Sequence, residues 1–411
     1  MNKFRFTVIT TALLVTTQAD AIDLGYGVNF KAFGTLGLVY SDNDGADYVT
    51  STHAQATGAG RSDAVSYKVD SKLGAQFDWQ ANEKLSLSTQ FLTKHYEDNT
   101  WTPRIESAFL KYVVASELDI RAGRIRPPVF NLSDFLDVNF ANLWVRPPIE
   151  HYSAVPFTYM NGADLLWSTQ SGEIAWLVQP YIGQAEVENA WENTNESDVV
   201  GLNIRAGQDD FTFRAGYAQT RFRVSGATID YALDALYGLC QNDPVACDLA
   251  NKIDSKDAKA TYLSLGGNWD NGDYFILGEW SKSDLNVDFF PEMQSWYLSG
   301  GVRIKSWTPY ITYAKTKDAS SIYTGSANPY TNGIINEMHN GVMQGQHSIS
   351  LGVRYDFMQN MALKAQWDHV ETDCKGSQAD TCGGVFANMS SGFSDEPQDA
   401  EVISLSIDFI Y

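Results

Sequence analysis

Glu401-Val-Ile-Ser-Leu-Ser-Ile-Asp-Phe-Ile-Tyr411 is the stretch of sequence that decides the fold, because its side chains alternate between apolar and polar. The apolar residues at odd positions from 403 to 411 would share one face of a strand, and Ser404, Ser406 and Asp408 the other. Such a strand at the edge of an open sheet would leave a row of unpaired N–H and C=O groups. In a closed barrel it pairs with the first strand instead, so the pattern predicts a closed β-barrel.

The same period-two alternation runs through the rest of the chain and predicts sixteen strands. Their predicted bounds are 27–40, 66–79, 84–96, 104–115, 117–124, 160–169, 173–184, 198–206, 210–222, 258–270, 273–283, 293–304, 307–316, 345–357, 360–372 and 401–411. Most of these runs reach the 9–11 residues that a tilted strand needs to cross a bilayer. We therefore predict an all-β, transmembrane, antiparallel up-and-down barrel.

The connections between these strands alternate between short and long. The short ones carry the Asn, Asp or Gly that tight hairpins need, as in Asp270-Asn-Gly-Asp273. The long ones lie near 41–65, 125–159, 185–197, 223–257, 317–344 and 373–400, with two of middling length at 97–103 and 284–292. Short periplasmic turns and longer extracellular loops are typical of outer-membrane barrels, whereas a soluble β-sandwich, the alternative, has no reason to sort its connections by length.

Residues 1–21 have the pattern of a secretory signal peptide, with Lys3 and Arg5 before an apolar run and Ala19-Asp-Ala21 as a cleavage site. The alternative, a short membrane anchor, is disfavoured because the run is too short to span a bilayer as a helix. Residues 22–411 would then form one barrel domain. The chain carries a net charge of −21, which makes it a poor binder of nucleic acid.

The most distinctive connection runs from Gly123-Arg-Ile-Arg-Pro-Pro128 to Arg146-Pro-Pro-Ile-Glu150. The Pro pairs end both flanking runs. Its middle is too apolar for a solvated loop and must bury a set of large side chains: Phe130, Leu132, Phe135, Leu136, Phe140, Leu143 and Trp144. With the two connections of middling length included, it is the third of eight loops, which are numbered 1 to 8 in chain order.

The whole pattern resembles two groups of Gram-negative proteins. The final strand, which ends on an aromatic residue, is similar to the assembly signal of bacterial outer-membrane proteins. The strand count and the apolar third loop resemble those of the trimeric porins. The start of that loop weakly resembles the phosphate-selective porin group. The resemblance implies a homotrimer in outer-membrane lipid and lipopolysaccharide, with the third loop folded into each lumen.

In trimeric porins, acids on this loop face a ladder of bases on the wall, and the resulting field screens solutes by charge. The resemblance therefore implies two sets of pore-lining candidates. The charged loop candidates are Arg124, Arg126, Asp134, Asp137, Arg146 and Glu150. The inward wall candidates are Lys31, Lys72, Arg121, Arg214, Arg303, Arg354 and Lys364. Two alternatives stay open: these charges are scattered residues with no joint role, or the apolar loop packs under the trimer contact.

Four cysteines make two local pairs, Cys240 with Cys247 and Cys374 with Cys382, both in predicted extracellular loops. An exported chain permits disulfides, which are expected here over a zinc site. Only His369 lies near the second pair and no His lies near the first. Around the first pair, Ile229 to Leu239 and Val245 to Ile253 are expected to form short helices over the mouth.

No sequence motif points to catalysis, a cofactor or a metal. The segment Asp42-Asn-Asp-Gly-Ala-Asp47 lacks the Glu that completes a calcium loop, so an acidic loop tip is the preferred interpretation. Glycine-rich phosphate loops and Gly-x-Ser-x-Gly elbows are missing.

Three functions follow. The first is passive diffusion of small hydrophilic solutes and ions. The second is specific uptake of phosphate, a dicarboxylate or an oligosaccharide, with Tyr262, Phe275 or Tyr310 as a sugar slide. The third is a plugged-barrel enzyme or adhesin. The selectivity stays undecided, because acidic loops favour cations and a basic constriction favours anions.

Overall fold

A computed structural model of the chain describes residues 21–52, 54–155, 157–188, 194–254, 258–285, 292–319, 323–340, 345–373 and 384–411. Sixteen antiparallel strands form a barrel. In chain order they are β1 Val28–Ser41, β2 Lys72–Gln80, β3 Leu85–Lys94, β4 Arg104–Ala115, β5 Leu118–Ile125, β6 Met160–Ser171, β7 Ile174–Glu188, β8 Thr194–Gln208, β9 Phe211–Ser225, β10 Ala258–Asp270, β11 Tyr274–Leu285, β12 Glu292–Val302, β13 Trp307–Ala319, β14 Gln346–Met358, β15 Met361–Thr372 and β16 Asp399–Ile410.

The barrel closes through its first strand. One edge of β1 pairs with β2 from Val28 to Thr35, and the other edge pairs with β16 from Phe33 to Ser41. Every other strand pairs with its neighbours in sequence. The predicted sixteen-stranded closed barrel is therefore confirmed, and the stretch that ends at Tyr411 is the closing strand.

The alternation of side chains sorts the two faces as predicted. In β16, Ile403 and Leu405 are about half exposed on the outer face, whereas Ser404 and Asp408 are fully buried on the inner face. Apolar residues thus cover the outside of the barrel and polar residues its inside. None of the described helices is long and apolar enough to cross a membrane.

The predicted second strand, 66–79, is wrong in its first third. Residues 67–71 form a turn, and β2 begins only at Lys72. The alternation of an unbroken strand would place Val69 on the outer face with Leu73, but Val69 is buried in an apolar cluster with Tyr48 and Val370. Asp70 is buried too, because it pairs with an arginine of the third loop. These interior contacts override the local alternation.

Seven short turns lie at one end of the barrel, here called the turn end, and the long connections lie at the other, the loop end. Positive φ angles occur where hairpins need them, at Asp209 and Lys305 as well as at Gly172 and Gly272. The predicted sorting of connections by length is confirmed.

Loops 1 and 8 join in a small three-stranded sheet at the loop end. Its strands are Asp47–Tyr48, Ala59–Gly60 and Phe386–Ala387. The carboxylate of Asp47 accepts hydrogen bonds from Ser62 (2.7 and 2.5 Å) and Asn388 (3.0 Å). This acid of the Asp42–Asp47 segment therefore stabilises the small sheet. The predicted Cys374–Cys382 disulfide lies outside the described residues.

Loops 5 and 7 form a helical cap over another part of the loop end. Helices α2 (Ala227–Leu239) and α3 (Pro244–Asp254) confirm the two predicted helices, and α4 (Pro329–Asn340) of loop 7 was not predicted. All three contribute to one apolar core through Leu236, Leu249 and Ile335. The predicted Cys240–Cys247 disulfide is present between α2 and α3.

Asp243 ties loop 5 to loop 7. Its carboxylate accepts hydrogen bonds from the hydroxyls of Ser326 and Thr331, both 2.5 Å long, and from the backbone N–H of Val245. The hydrogen bond from Ser326 has the largest effect on the pKa of Asp243 and that from Thr331 the next largest, and both lower the pKa below its ordinary value of 3.8.

We predict that Asp243→Asn loosens the cap, because the amide has a single accepting oxygen and cannot accept from the two hydroxyls on one side and from the Val245 N–H on the other. Hydrogen exchange of α4 amides should accelerate about five-fold, the effect of one lost hydrogen bond. The lowered pKa means that this contribution is present above about pH 4 and is lost as the pH falls further. Asp248→Asn, which removes an exposed acid from α3, is the control; equal exchange in both variants would contradict the assignment.

Candidate functional site

Loop 3, residues 126–159, folds into the barrel, as predicted. It contains two short 3-10 turns, Ser133–Phe135 and Asn139–Ala141, and a one-turn helix α1, Ile149–Tyr152. The apolar part of the loop packs against the wall of β11 to β13. The buried residues of this contact are Leu132, Leu143, Trp144, Phe275, Leu277, Tyr297 and Tyr310.

Polar anchors hold the apolar contact in register. The indole N–H of Trp144 donates to the hydroxyls of Ser299 (3.2 Å) and Thr312 (2.9 Å), and the next backbone N–H, of Val145, donates to Gln366 (3.0 Å). A buried indole with its N–H satisfied fixes both position and orientation. The loop is therefore fixed to the inner wall of the barrel at this contact.

The first ion cluster joins the descending arm of loop 3 to β2, β3 and β4. Asp137 contacts Arg126 (2.6 Å), Lys94 (3.2 Å) and Lys72 (3.8 Å), and Arg126 also contacts Glu106 (3.3 Å). The side chains of Asp137, Arg126 and Glu106 are almost completely buried. Charges in such surroundings are tolerated only when they are paired, so this cluster fixes the loop.

A second ion cluster holds the returning arm. The guanidinium of Arg146 donates to both carboxylate oxygens of Asp70 (3.0 and 2.6 Å), to Asp368 (3.2 Å) and to the hydroxyl of Ser404 (2.6 Å). Its plane also lies over the ring of Tyr48, 5.1 Å from the centroid. Arg146 thus joins loop 3 to loop 1, β15 and the closing strand β16.

A third cluster surrounds Glu279 on β11. Its carboxylate accepts the backbone N–H of Asn131 (2.8 Å) and the hydroxyls of Tyr297 (2.9 Å) and Tyr152. Arg214 lies 3.9 Å from the same carboxylate. Arg214 also donates to the backbone carbonyl of Pro128 at the start of the loop.

Two more wall bases bind the loop backbone. Lys364 donates to the carbonyls of Asn139 (2.7 Å) and Trp144 (2.9 Å) and pairs with Asp408 (2.8 Å). Arg354 donates to the carbonyls of Phe140 (2.6 Å) and Asn142 (2.9 Å). Much of the predicted ladder therefore anchors the loop and does not face open lumen.

Asp134 is the loop acid that stays exposed. Arg121 of β5 and Arg205 of β8 both lie within electrostatic range of it. Arg121 is paired with Asp164 of β6 at 2.5 Å. One exposed loop carboxylate and two wall guanidinium groups therefore lie near one another beside the loop.

Four other predicted residues do not take part in this arrangement. Arg124 was predicted in the pore but lies on the outer face, where it contacts Asn161 (3.2 Å) and stacks over Tyr159, because strand alternation turns it away from the inward Ile125. Arg303 pairs with Asp270 (2.7 Å) and Lys31 with Asp78 (2.9 Å), both toward the turn end. Glu150 is buried and accepts a hydrogen bond from Gln346 (2.8 Å).

The suggested sugar slide is wrong. Tyr262, Phe275 and Tyr310 point inward but are almost fully buried beneath loop 3 and its approaches, at 8%, 1% and 5% exposure. Their rings form the bed of the loop, so solutes do not pass along them.

Sequence reasoning missed Lys94, Glu106, Arg205 and Glu279, although each lies on the inner face of its strand. Strand alternation could have assigned their faces. The partner of each depends on where the loop crosses the barrel, which no local pattern reveals.

The sequence matches no known family profile and no curated protein. The fold is similar to an anion-selective porin from Comamonas acidovorans (12% identity, TM-score 0.54, covering 93% of this chain and 99% of that one). It is also similar to OmpF of Salmonella typhi in complex with daunomycin (13%, 0.52, 93% and 97%) and to the trimer form of OmpT, an outer membrane protein of Vibrio cholerae (12%, 0.52, 94% and 100%). The fold is therefore that of the porin-like outer-membrane barrels.

We predict that Asp137→Asn lowers the free energy of unfolding by about 3–5 kcal/mol, because it leaves three buried or half-buried bases without their shared acid. Denaturant unfolding in detergent micelles measures the change. Asp134→Asn, three residues away on the same loop but exposed, should stay within about 0.5 kcal/mol of the unmodified protein. Equal stability of the two variants would mean that the cluster does not hold the loop.

Proposed function

We propose that this chain is an outer-membrane porin through which small hydrophilic solutes and ions diffuse passively. Its apolar outer face would meet lipid, and closure leaves no unpaired strand edge in the hydrocarbon. The turn end would be periplasmic and the loop end extracellular. The proposal assigns no chemical reaction to the chain.

The neutralisation of loop 3 supports this function most directly. Wall residues pair with the buried Asp137 and Arg146 of the loop, whereas Asp134 stays exposed near Arg121 and Arg205. A loop fixed to the inner wall by these contacts would narrow the lumen without moving during transport. Opposed charges across the remaining gap create a transverse field that orients dipolar solutes.

We further propose export by the predicted signal peptide, residues 1–21, and assembly as a homotrimer with one pore in each subunit. The trimer form of the Vibrio cholerae protein supports this assembly. Outer-membrane lipid and lipopolysaccharide would surround the trimer.

Single-channel recording in a planar bilayer tests the function. Purified protein should insert as a conducting unit that closes in three equal steps under high voltage. Silence at all voltages would contradict diffusion and favour a plugged-barrel enzyme or adhesin, for which the cap of loops 5 and 7 would be the place to look.

Asp134 should favour cations over anions. We expect Asp134→Asn to shift the reversal potential under a KCl gradient toward anions, because the narrow part of the lumen loses its exposed loop acid. Raising the salt from 0.1 to 1 M should reduce the shift, since the Debye length falls from about 10 to 3 Å. Asp248→Asn, which removes an equal charge from the cap, should leave the potential nearly unchanged; equal shifts in both variants would contradict a role for Asp134.

A further inference from the structure

Two arginines are direct cross-strand neighbours on the inner wall. Arg205 of β8 and Arg214 of β9 are register partners, so their side chains leave the sheet next to each other on the same face. Like charges placed directly opposite destabilise a sheet unless something compensates them. An acid for each would be the expected arrangement.

Only one of the pair has such an acid among the described residues. Arg214 lies 3.9 Å from Glu279 and donates to Ser264 (2.9 Å). Arg205 donates to the backbone carbonyl of Asn131 (3.0 Å), but its buried Nε has no partner, and no carboxylate lies within 4 Å of it in the part of the chain that the structure describes. The charge of Asp134 interacts electrostatically with Arg205, but the two side chains make no ion pair.

The unpaired guanidinium lines a small cavity between loop 3 and the wall. The cavity volume is about 60 Å³, room for about four waters at 10–15 Å³ each. Its lining combines Arg205 with the polar side chains of Thr212 and Asn268. The rest of the lining is mainly apolar, from Leu132, Phe135, Leu143 and Leu277.

This arrangement calls for an anion with a short apolar body. A carboxylate can accept from the Nε–H that has no partner, and a hydrogen bond between two charged groups is among the stronger ones in proteins. The aliphatic part would contact the leucine side chains, and the small volume excludes long chains.

We propose that Arg205 and this cavity form a binding site for short-chain organic carboxylates on the wall side of loop 3. The site rests on the proposed function, since its ligand would reach it through the open lumen. Binding would make the pore a diffusion channel with a weak, saturable preference for these anions.

The test is ion current through the reconstituted full-length channel in KCl with added potassium butyrate, at constant ionic strength. The current should change with butyrate concentration and reach a plateau. Butyramide, the neutral analogue of similar shape, should have no such effect. Nitrate has no apolar body and should require at least a ten-fold higher concentration.

Arg205→Gln should raise the half-saturating butyrate concentration at least ten-fold. Asn268→Asp places an acid in the cavity that Arg205 lines, without changing side-chain size, and should do the same. The test therefore does not depend on the folding of a single variant. Arg303→Gln removes an equal charge from another inward arginine and should leave the value within two-fold.

A current that changes linearly with butyrate without a plateau, or equal half-saturation in Arg205→Gln and Arg303→Gln, would overturn the site while leaving the channel function intact. Equal affinity for nitrate and butyrate would overturn the organic class of ligand. A protein that conducts no ions in KCl would overturn the proposed function itself.

Discussion

The pairing of buried charges between loop 3 and the barrel wall is the constraint on which the rest of the structure depends. An unpaired ion in such surroundings is expensive, so every charged side chain that the loop carries inward needs a partner at the right height on the wall. Asp137 and Arg146 meet this need through bases of β2 and β3 and through acids of loop 1 and β15. These contacts cross from one strand to strands distant in sequence, so the loop also ties the two halves of the closed sheet together.

The same constraint explains the distribution of charge that solutes would meet. A basic wall facing an acidic loop is the simplest expectation from strand alternation. However, Lys364 and Arg354 donate hydrogen bonds to loop carbonyls, and Lys72 pairs with Asp137. After these pairings, three charges in or beside the loop lack a close ion partner among the described residues: the exposed Asp134, the wall residue Arg205, and the buried Glu150, which accepts a hydrogen bond from Gln346. The field in the lumen thus depends on few groups, and single substitutions there should alter permeation without altering the fold.

The fold was largely predictable because period-two alternation is a local property. The sixteen strands, the short turns, the burial of Trp144 and the helices around Cys240 all follow from patterns within a dozen residues. The errors arose where a distant partner overrides the local pattern. Val69 packs into an apolar cluster and Asp70 pairs with Arg146, so neither belongs to the predicted second strand. Arg124 points outward because its neighbour Ile125 is buried in the apolar core beneath loop 3. The partners of Glu279 and Arg205 depend on the path of loop 3 in three dimensions, which the sequence pattern does not contain.

Exclusion of neutral polymers from the conducting channel tests the central claim most directly. Polyethylene glycols of increasing size are added to either side of the bilayer, and the largest polymer that still lowers the ion current reports the narrowest radius. If loop 3 is fixed inside each barrel, the cutoff should be well below the bore of an empty sixteen-stranded barrel and equal from both sides. A cutoff that matches the full bore, or the absence of any current, would contradict a channel narrowed by a loop that the wall holds in place.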